Sequence, residues 1–106
     1  MRQIFDSTSY LDSEGRPAGG HVDGVGLHIN WQDGPLGRGI GRREPNGSFV
    51  ETVLAAALQR IQFYQDGQFK CRENAIAITK IEEALLWLDK RTRDRETRQV
   101  EGTHTI

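Results

Sequence analysis

The chain has few of the residues that stabilise small proteins through disulfide bonds or bound metal ions. Cys71 is the only cysteine, so no intramolecular disulfide can form and no cysteine cluster can hold a metal. The histidines, His21, His28 and His104, are scattered, and no two have the spacing of metal ligands on a helix. We therefore expect no metal, no cofactor and a reducing compartment.

Long apolar runs and an excess of charge are also lacking. No apolar run approaches the roughly 20 residues of a membrane span, and no apolar signal sequence follows Met1. The formal net charge is -1, which differs from the basic field typical of a general nucleic-acid binder. We expect one domain of 106 residues that acts in the cytoplasm, with neither a membrane nor a nucleic acid as its partner.

The first third of the chain has the alternation typical of strands. Apolar residues alternate with other residues at this point, which predicts a strand with one buried face: Val25, Leu27, Ile29 and Trp31 alternate with Gly26, His28 and Asn30. A second short strand is predicted over residues 2–11, and residues 14–24 supply the glycines and the proline of a turn. Because two strands alone are marginally stable, they must pack against another element.

From about residue 46 onward the apolar residues recur with helical spacing. Ser48 and Glu51 match a capping box, and Gly67 is a suitable helix end. A second helix is predicted from about Cys71 to Arg98, and the short connection makes the two helices antiparallel neighbours. The predicted fold is α+β, with a short N-terminal antiparallel β-hairpin packed against a long antiparallel helical hairpin. In this single domain, residues 1–45 hold the β-hairpin and a Gly/Arg loop, 46–100 the helical hairpin and 101–106 a tail.

The second predicted helix has one band that is apolar on all sides, at Leu85, Leu86, Trp87 and Leu88. A helix that is apolar on every face must be buried on every face. One partner helix and a thin sheet cannot cover all of them. The band therefore predicts a homo-oligomer, most simply a two-fold dimer.

The connection between the predicted sheet and the first helix is rich in glycine and arginine. Arg38, Arg42 and Arg43 lie among four glycines and ahead of a helix N-terminus. Guanidinium groups, backbone N–H groups and glycines are the components of a phosphate-binding loop. The spacing is not that of a P-loop or of a Rossmann turn, so a solvated surface loop is an equal alternative.

Three aromatic residues are candidates for contact with a nucleobase. Trp31 ends the predicted strand, and Phe63 and Tyr64 lie in the last turn of the first helix. The positions of Trp31 and Tyr64 also suit ordinary core packing. Beside an arginine cluster, however, aromatic faces suit base stacking, which contributes roughly 1–3 kcal/mol per base.

The second helix supplies the remaining candidates. Arg91 and Arg95 lie one turn apart, and such pairs are usually a solvated face. The apolar stripe of this helix, spaced alternately by three and four residues, contains Ile78, Ile81, Leu85 and Leu88. Arg95 continues this stripe, so it should point into an interface where an anion or a carboxylate meets it. Asn74 lies on the same stripe and should be hydrogen-bonded, either fixing register or contacting a base edge. No set of nucleophile, base and metal ligands is evident, so we predict no catalytic residues and no enzyme activity.

The run from Gly26 to the end resembles a family of phage proteins called Thoeris anti-defence one. The matching stretches are "INWQDGPLGRG", "REPNGSFVETV", "CRENAIAITKIEEALLWL", "RTRDRE" and "VEGTH", which occur in the family's order over about three-quarters of the chain. This family shares its helical hairpin with an anti-CBASS protein that sequesters cyclic nucleotides.

The resemblance implies a function in the host bacterial cytoplasm. Such proteins are sponges, which bind cyclic ADP-ribose isomers made by an immune TIR-domain enzyme and hold them intact. Some members also form larger assemblies, such as hexamers, that bind cyclic di- or trinucleotides at a second site. By this resemblance the signal-binding residues fall on Tyr64, Asn74, Arg91 and one of Arg42 or Arg43, with Trp31 nearby.

One stretch departs from the family. Ile40 and Gly41 stand where many relatives have an acidic pair, and the loss of two carboxylates makes the loop more receptive to anions. The same change could alter assembly. Two functions remain: a sponge for a nucleotide signal with a pocket at the dimer interface, and a small dimeric nucleic-acid-binding or regulatory protein.

Overall fold

A computed structural model describes residues 4–106 of the chain, which form two compact units. Of the described residues, 4–49 and 100–106 belong to the first unit, and residues 50–99 form the second. The strand predicted over residues 2–11 thus begins outside the described residues. The segment after Met1, where no signal sequence is expected, also begins outside them. The predicted α+β class is confirmed.

The first unit contains a three-stranded antiparallel sheet in the order β1-β2-β3. The strands are β1 (Asp6–Leu11), β2 (Pro17–Gly24) and β3 (Leu27–Trp31). Val22 of β2 pairs with Ile29 of β3, and both side chains are buried. The predicted buried face is therefore correct at Ile29 and wrong at Val25 and Leu27, which are exposed, because β3 begins only at Leu27 and Val25 lies in the turn before it.

The central strand was not predicted, because its sequence has the composition of a turn. Gly19 and Gly20 have positive φ angles of 80° and 150°, next to an irregularity of register between Ser9 and Leu11. A Cβ atom on Gly20 would collide with the carbonyl oxygen of Thr8. These glycines are required for the close approach of β1 to β2, where the sequence alone suggested chain reversal.

The second unit is a helical hairpin of α1 (Val50–Gln65) and α2 (Arg72–Thr97). The connection is closed by Gln65, whose side-chain amide accepts from the Cys71 backbone N–H and donates to its carbonyl, both at 3.0 Å. Cys71 caps α2, since its Sγ accepts from the backbone N–H of Asn74 at 3.4 Å. The predicted end of α1 before Gly67 is confirmed, and α2 is the longer helix, with 26 residues against 16.

The predicted capping box is not formed, because the backbone of Ser48 is engaged elsewhere. Its N–H donates to the carbonyl of Asn30 at 2.7 Å, and its carbonyl accepts from the N–H of Gln32 at 3.0 Å. This parallel bridge to Trp31 extends the sheet, and α1 begins only at Val50.

Neither helix contains a buried residue. Along α2, Leu86 and Trp87 are 68% and 70% exposed. Within residues 4–106, no helix is both long enough and apolar enough to cross a bilayer.

Candidate functional site

The loop between β3 and α1 is closed at its base by two amide side chains. Gln32 Oε1 accepts from the backbone N–H of Asn46 at 2.8 Å. Asn46 returns two bonds to Asp33, accepting from its N–H at 2.9 Å and donating to its carbonyl at 3.0 Å. These hydrogen bonds hold the first and last residues of the Gly/Arg loop together at the end of β3.

The far side of the loop is attached to the C-terminal tail. The backbone N–H of Gly37 donates to the carbonyl of Gly102 at 2.7 Å, and Arg38 donates to the carbonyl of Glu101 at 3.2 Å. Arg42 donates from both Nη atoms to the Glu101 carboxylate at 2.6 and 2.9 Å. We call this set of contacts the tail clasp. It makes the loop a folded element, where its composition alone suggested flexibility.

The arginines predicted to bind phosphate have different surroundings. Arg42 is neutralised by Glu101, a partner that reasoning from the residues alone did not identify. Arg43 donates to the carbonyl of Pro35 at 2.8 Å and contacts no carboxylate among residues 4–106. Arg38 is exposed and reaches only a backbone oxygen. The loop therefore presents two guanidinium groups whose charge no carboxylate of the described chain offsets.

Trp31 ends β3 at the start of this loop and is half-buried. Gly47 lies directly against its backbone, and a Cβ atom at position 47 would come 2.6 Å from the carbonyl carbon and oxygen of Trp31. The sequence marked Trp31 as a candidate but gave no reason for Gly47, whose role is to let two backbones approach.

One polar cluster on the sheet was missed, because its members looked scattered in the sequence. Asp23 accepts from Nδ1 of His21 at 2.8 Å with one carboxylate oxygen and contacts Nδ1 of His28 with the other. Nε2 of His28 lies 3.2 Å from the amide nitrogen of Asn30. The hydrogen bond with His28, and then that with His21, lowers the pKa of Asp23 below its ordinary value. Within the described part of the chain no cluster suits a metal ion.

The predicted aromatic residues of α1 are exposed. Phe63 is 64% and Tyr64 39% exposed, and their rings meet edge to face with centroids 5.8 Å apart. Tyr64 therefore lies further out than its core spacing suggested. At the same end of the hairpin, Asn74 is half-buried and donates to the carbonyl of Phe69 at 3.4 Å. Its side-chain oxygen has no partner within residues 4–106.

The cations of α2 differ in their partners. Lys90 pairs with Asp94 at 2.8 Å and Arg93 with Asp89 at 2.9 Å. Arg91 is exposed and has no carboxylate partner among the described residues. Arg95 is half-buried, in keeping with its place on the apolar stripe.

The arrangement offers guanidinium groups, exposed aromatic rings and an amide. These groups bind phosphates and bases. The first unit brings together Trp31 and the loop arginines, and the second carries Phe63, Tyr64, Asn74, Arg91 and Arg95.

Residues 23–93 match the family described as Acb2/Tad1, hairpin domain. The chain belongs to this family. It is 50% identical over 76 residues to a protein of Bacillus phage SBSphiJ7 named Thoeris anti-defense 1, an overlap that covers 72% of this chain and 51% of the relative. The chain thus spans about half the length of the relative that it matches.

The range matched to the Acb2/Tad1 hairpin family contains most of the candidate residues. It covers β3, the Gly/Arg loop, α1 and α2 as far as Arg93. Arg95 falls outside it, as do Glu101 and Gly102 of the tail clasp. The resemblance drawn from the sequence is therefore confirmed at the level of the family, and the roles of single residues stay predictions.

Proposed function

We propose that this protein sequesters cyclic ADP-ribose-type signal nucleotides in the host bacterial cytoplasm and so prevents activation of a Thoeris effector. The observation that carries the proposal is its 50% identity over 76 residues to a protein named Thoeris anti-defense 1. The site residues support it, because exposed rings and guanidinium groups without carboxylate partners suit a base and a diphosphate.

The proposed mode of action is binding without cleavage. Sequestration needs only that the complex be tight and that the protein be abundant relative to the signal. The chemistry of the candidate residues fits this role, since arginine, asparagine and aromatic side chains orient a ligand without attacking it. The ligand should leave the protein in the form in which it entered.

The experiment incubates the purified chain with cyclic ADP-ribose isomers and separates protein from free nucleotide by filtration. Heating the protein fraction should then release intact nucleotide, identified by its mass and by its ability to activate a Thoeris effector in vitro. If every isomer passes the filter freely, the proposal is overturned. A hydrolysed product that accumulates with time would replace sequestration with catalysis.

We further propose that a second copy of the chain covers the exposed face of α2. Leu86 and Trp87 line an open groove of about 300 Å³ together with Glu83 and Lys90. Glu83 precedes this apolar pair by as many residues as Lys90 follows it. Two copies of α2 that cross antiparallel at Leu86 and Trp87 would bring each Glu83 to the other copy's Lys90, which is the self-complementarity of a two-fold interface.

Charge reversal tests this pairing. Glu83→Lys should weaken the oligomer by placing like charges together, and Glu83→Lys combined with Lys90→Glu should restore it. Sedimentation velocity measures both, with Glu51→Lys on the other helix as a control for charge alone. A wild-type mass near 12.0 kDa at micromolar concentration would contradict the proposal. The same measurement distinguishes a dimer from a hexamer.

A second ligand class is proposed for the Gly/Arg loop. Cyclic di- or trinucleotides carry several phosphates, and the loop holds Arg38 and Arg43 without carboxylate contacts among the described residues. Competition between a cyclic dinucleotide and a cyclic ADP-ribose isomer tests whether the sites are separate. The nucleic-acid-binding alternative is less well supported, since strong binding to a phosphate backbone needs many cations and the formal net charge of the chain is -1.

A further inference from the structure

Arg60 is a residue that neither the sequence motifs nor the family resemblance identified. It lies three and four positions before Phe63 and Tyr64 in α1, so all three side chains share one helix face. Its guanidinium carbon is 5.0 Å from the centroid of the Phe63 ring and 4.9 Å from that of Tyr64. Its Nε also donates to the Tyr64 hydroxyl at 3.1 Å.

The charge of Arg60 is not offset by a carboxylate of the described chain. Within residues 4–106 its contacts are the two rings and the Tyr64 hydroxyl, and both Nη groups are left without a hydrogen-bond partner. Lys90 and Arg93 differ in this respect, because each is paired with an aspartate one turn away. The Arg60 guanidinium is therefore held by two aromatic rings, and within residues 4–106 its two Nη groups remain available as hydrogen-bond donors.

Two consequences follow for a ligand. The rings restrict the Arg60 side chain before binding, so less rotamer entropy is lost when its Nη groups donate to an anion. The Tyr64 hydroxyl already accepts from Arg60, so its own proton is oriented toward another acceptor. The three residues combine a base-stacking surface, a planar two-donor fork and a hydroxyl donor.

We propose that Arg60 is a ligand-binding residue, and that Arg60, Phe63 and Tyr64 together bind a nucleobase and the phosphate attached to its nucleoside. The inference rests on the proposed function and adds to it a requirement: this face selects nucleotides over nucleosides. The Phe63 and Tyr64 rings contact the base, and the Arg60 guanidinium binds the phosphate through both Nη atoms.

The test compares Arg60→Met, Arg60→Lys and wild type by calorimetric titration with the cyclic ADP-ribose isomer that wild type binds most tightly. Arg60→Met keeps a long apolar side chain against the rings and removes the charge, and should weaken binding at least tenfold. Arg60→Lys should bind with intermediate affinity, since ammonium keeps the charge and loses the planar fork. Arg93→Met, at an arginine already paired with Asp89, is the matched control and should bind like wild type.

The salt dependence separates a phosphate contact from a structural role. Wild-type affinity should fall more steeply between 50 and 300 mM salt than that of Arg60→Met, because one charge contact is missing in the variant. Equal affinity and equal salt slope in wild type and Arg60→Met would overturn the inference while leaving the proposed function intact. Loss of affinity that only follows a lower melting temperature would overturn it as well. Failure of wild type to bind any isomer would instead overturn the proposed function itself.

Discussion

Arg42 and Glu101 form a two-point ion pair across 59 positions of sequence, with both Nη atoms donating to the two carboxylate oxygens. This fork-to-fork geometry is the one that guanidinium adopts with planar or tetrahedral oxyanions. Arg42 is thus already bound by an anion of its own chain. Its first role is to hold the Gly/Arg loop to the tail, and a ligand phosphate that needs Arg42 must compete with Glu101.

The tail clasp should protect the loop from exchange with solvent. Glu101→Gln removes the charge of the pair, so the N–H of Gly37, bonded to the carbonyl of Gly102, should exchange faster. Because the pair is partly exposed, we expect a change of about 0.5–1 kcal/mol in the opening free energy. Hydrogen exchange of residues 33–45 measures it.

The control for this variant is Glu82→Gln, at an exposed position of α2. It makes the same chemical change without touching the clasp. Unchanged exchange at Gly37 in Glu101→Gln would mean that backbone bonds alone hold the loop to the tail.

Gly47 should not tolerate a side chain. In Gly47→Ala the new Cβ would lie 2.6 Å from the backbone of Trp31, so β3 and the segment before α1 would have to separate. Such overpacking destabilises by about 1–3 kcal/mol. Chemical denaturation monitored by Trp fluorescence measures the loss. Gly41→Ala is the matched control, since position 41 has open space around it and should change stability little. Equal denaturation midpoints for the two variants would contradict this reason for Gly47.

Acid should destabilise the sheet through two aspartates. The pKa of Asp23 is lowered by the hydrogen bonds with His28 and His21, and that of Asp12 by bonds led by the Arg16 backbone N–H. A carboxyl group whose pKa is lower in the folded state than in the unfolded state stabilises the folded protein at pH values above its ordinary pKa of 3.8. That stabilisation is lost as the pH falls from there through the folded pKa, so stability should decrease below about pH 4.

Thermal melts between pH 2.5 and 7 test this dependence. Asp23→Asn and Asp12→Asn should each flatten the acid limb, whereas Asp66→Asn, at an exposed position after α1, should not. An acid limb of equal slope in all variants would assign the pH dependence to other groups.

The sequence predicted the helices well, because their apolar spacing is local information. The second helix was expected from about Cys71 to Arg98 and runs from Arg72 to Thr97. The sheet was harder, since Gly19 and Gly20 have turn composition and yet allow two strands to approach closely. The glycine content shows which backbone angles are possible, but the pairing of β2 with β1 determines which of these angles the chain adopts.

The site was predictable in composition but not in its contacts. Aromatic and arginine residues could be identified from the sequence, as could the family. The partner of Arg42 could not, because no local pattern relates it to Glu101. The contacts of Arg60 follow helical spacing, and the pattern Arg60, Phe63, Tyr64 is the signal that would have found them.

Arg91 should be required for capture of the signal and not for the fold. It is exposed on α2 and, within residues 4–106, no carboxylate neutralises it, so a ligand diphosphate would gain a charge-assisted bond without displacing a partner. Arg91→Ala should weaken binding of a cyclic ADP-ribose isomer by about 1.5–3 kcal/mol, measured calorimetrically, with unchanged sedimentation and helicity. Arg93→Ala, which loses only a surface pair with Asp89, is the control. If both variants bind equally well, this end of α2 is a solvated face, and the diphosphate must be bound by the arginines of the loop or by Arg60.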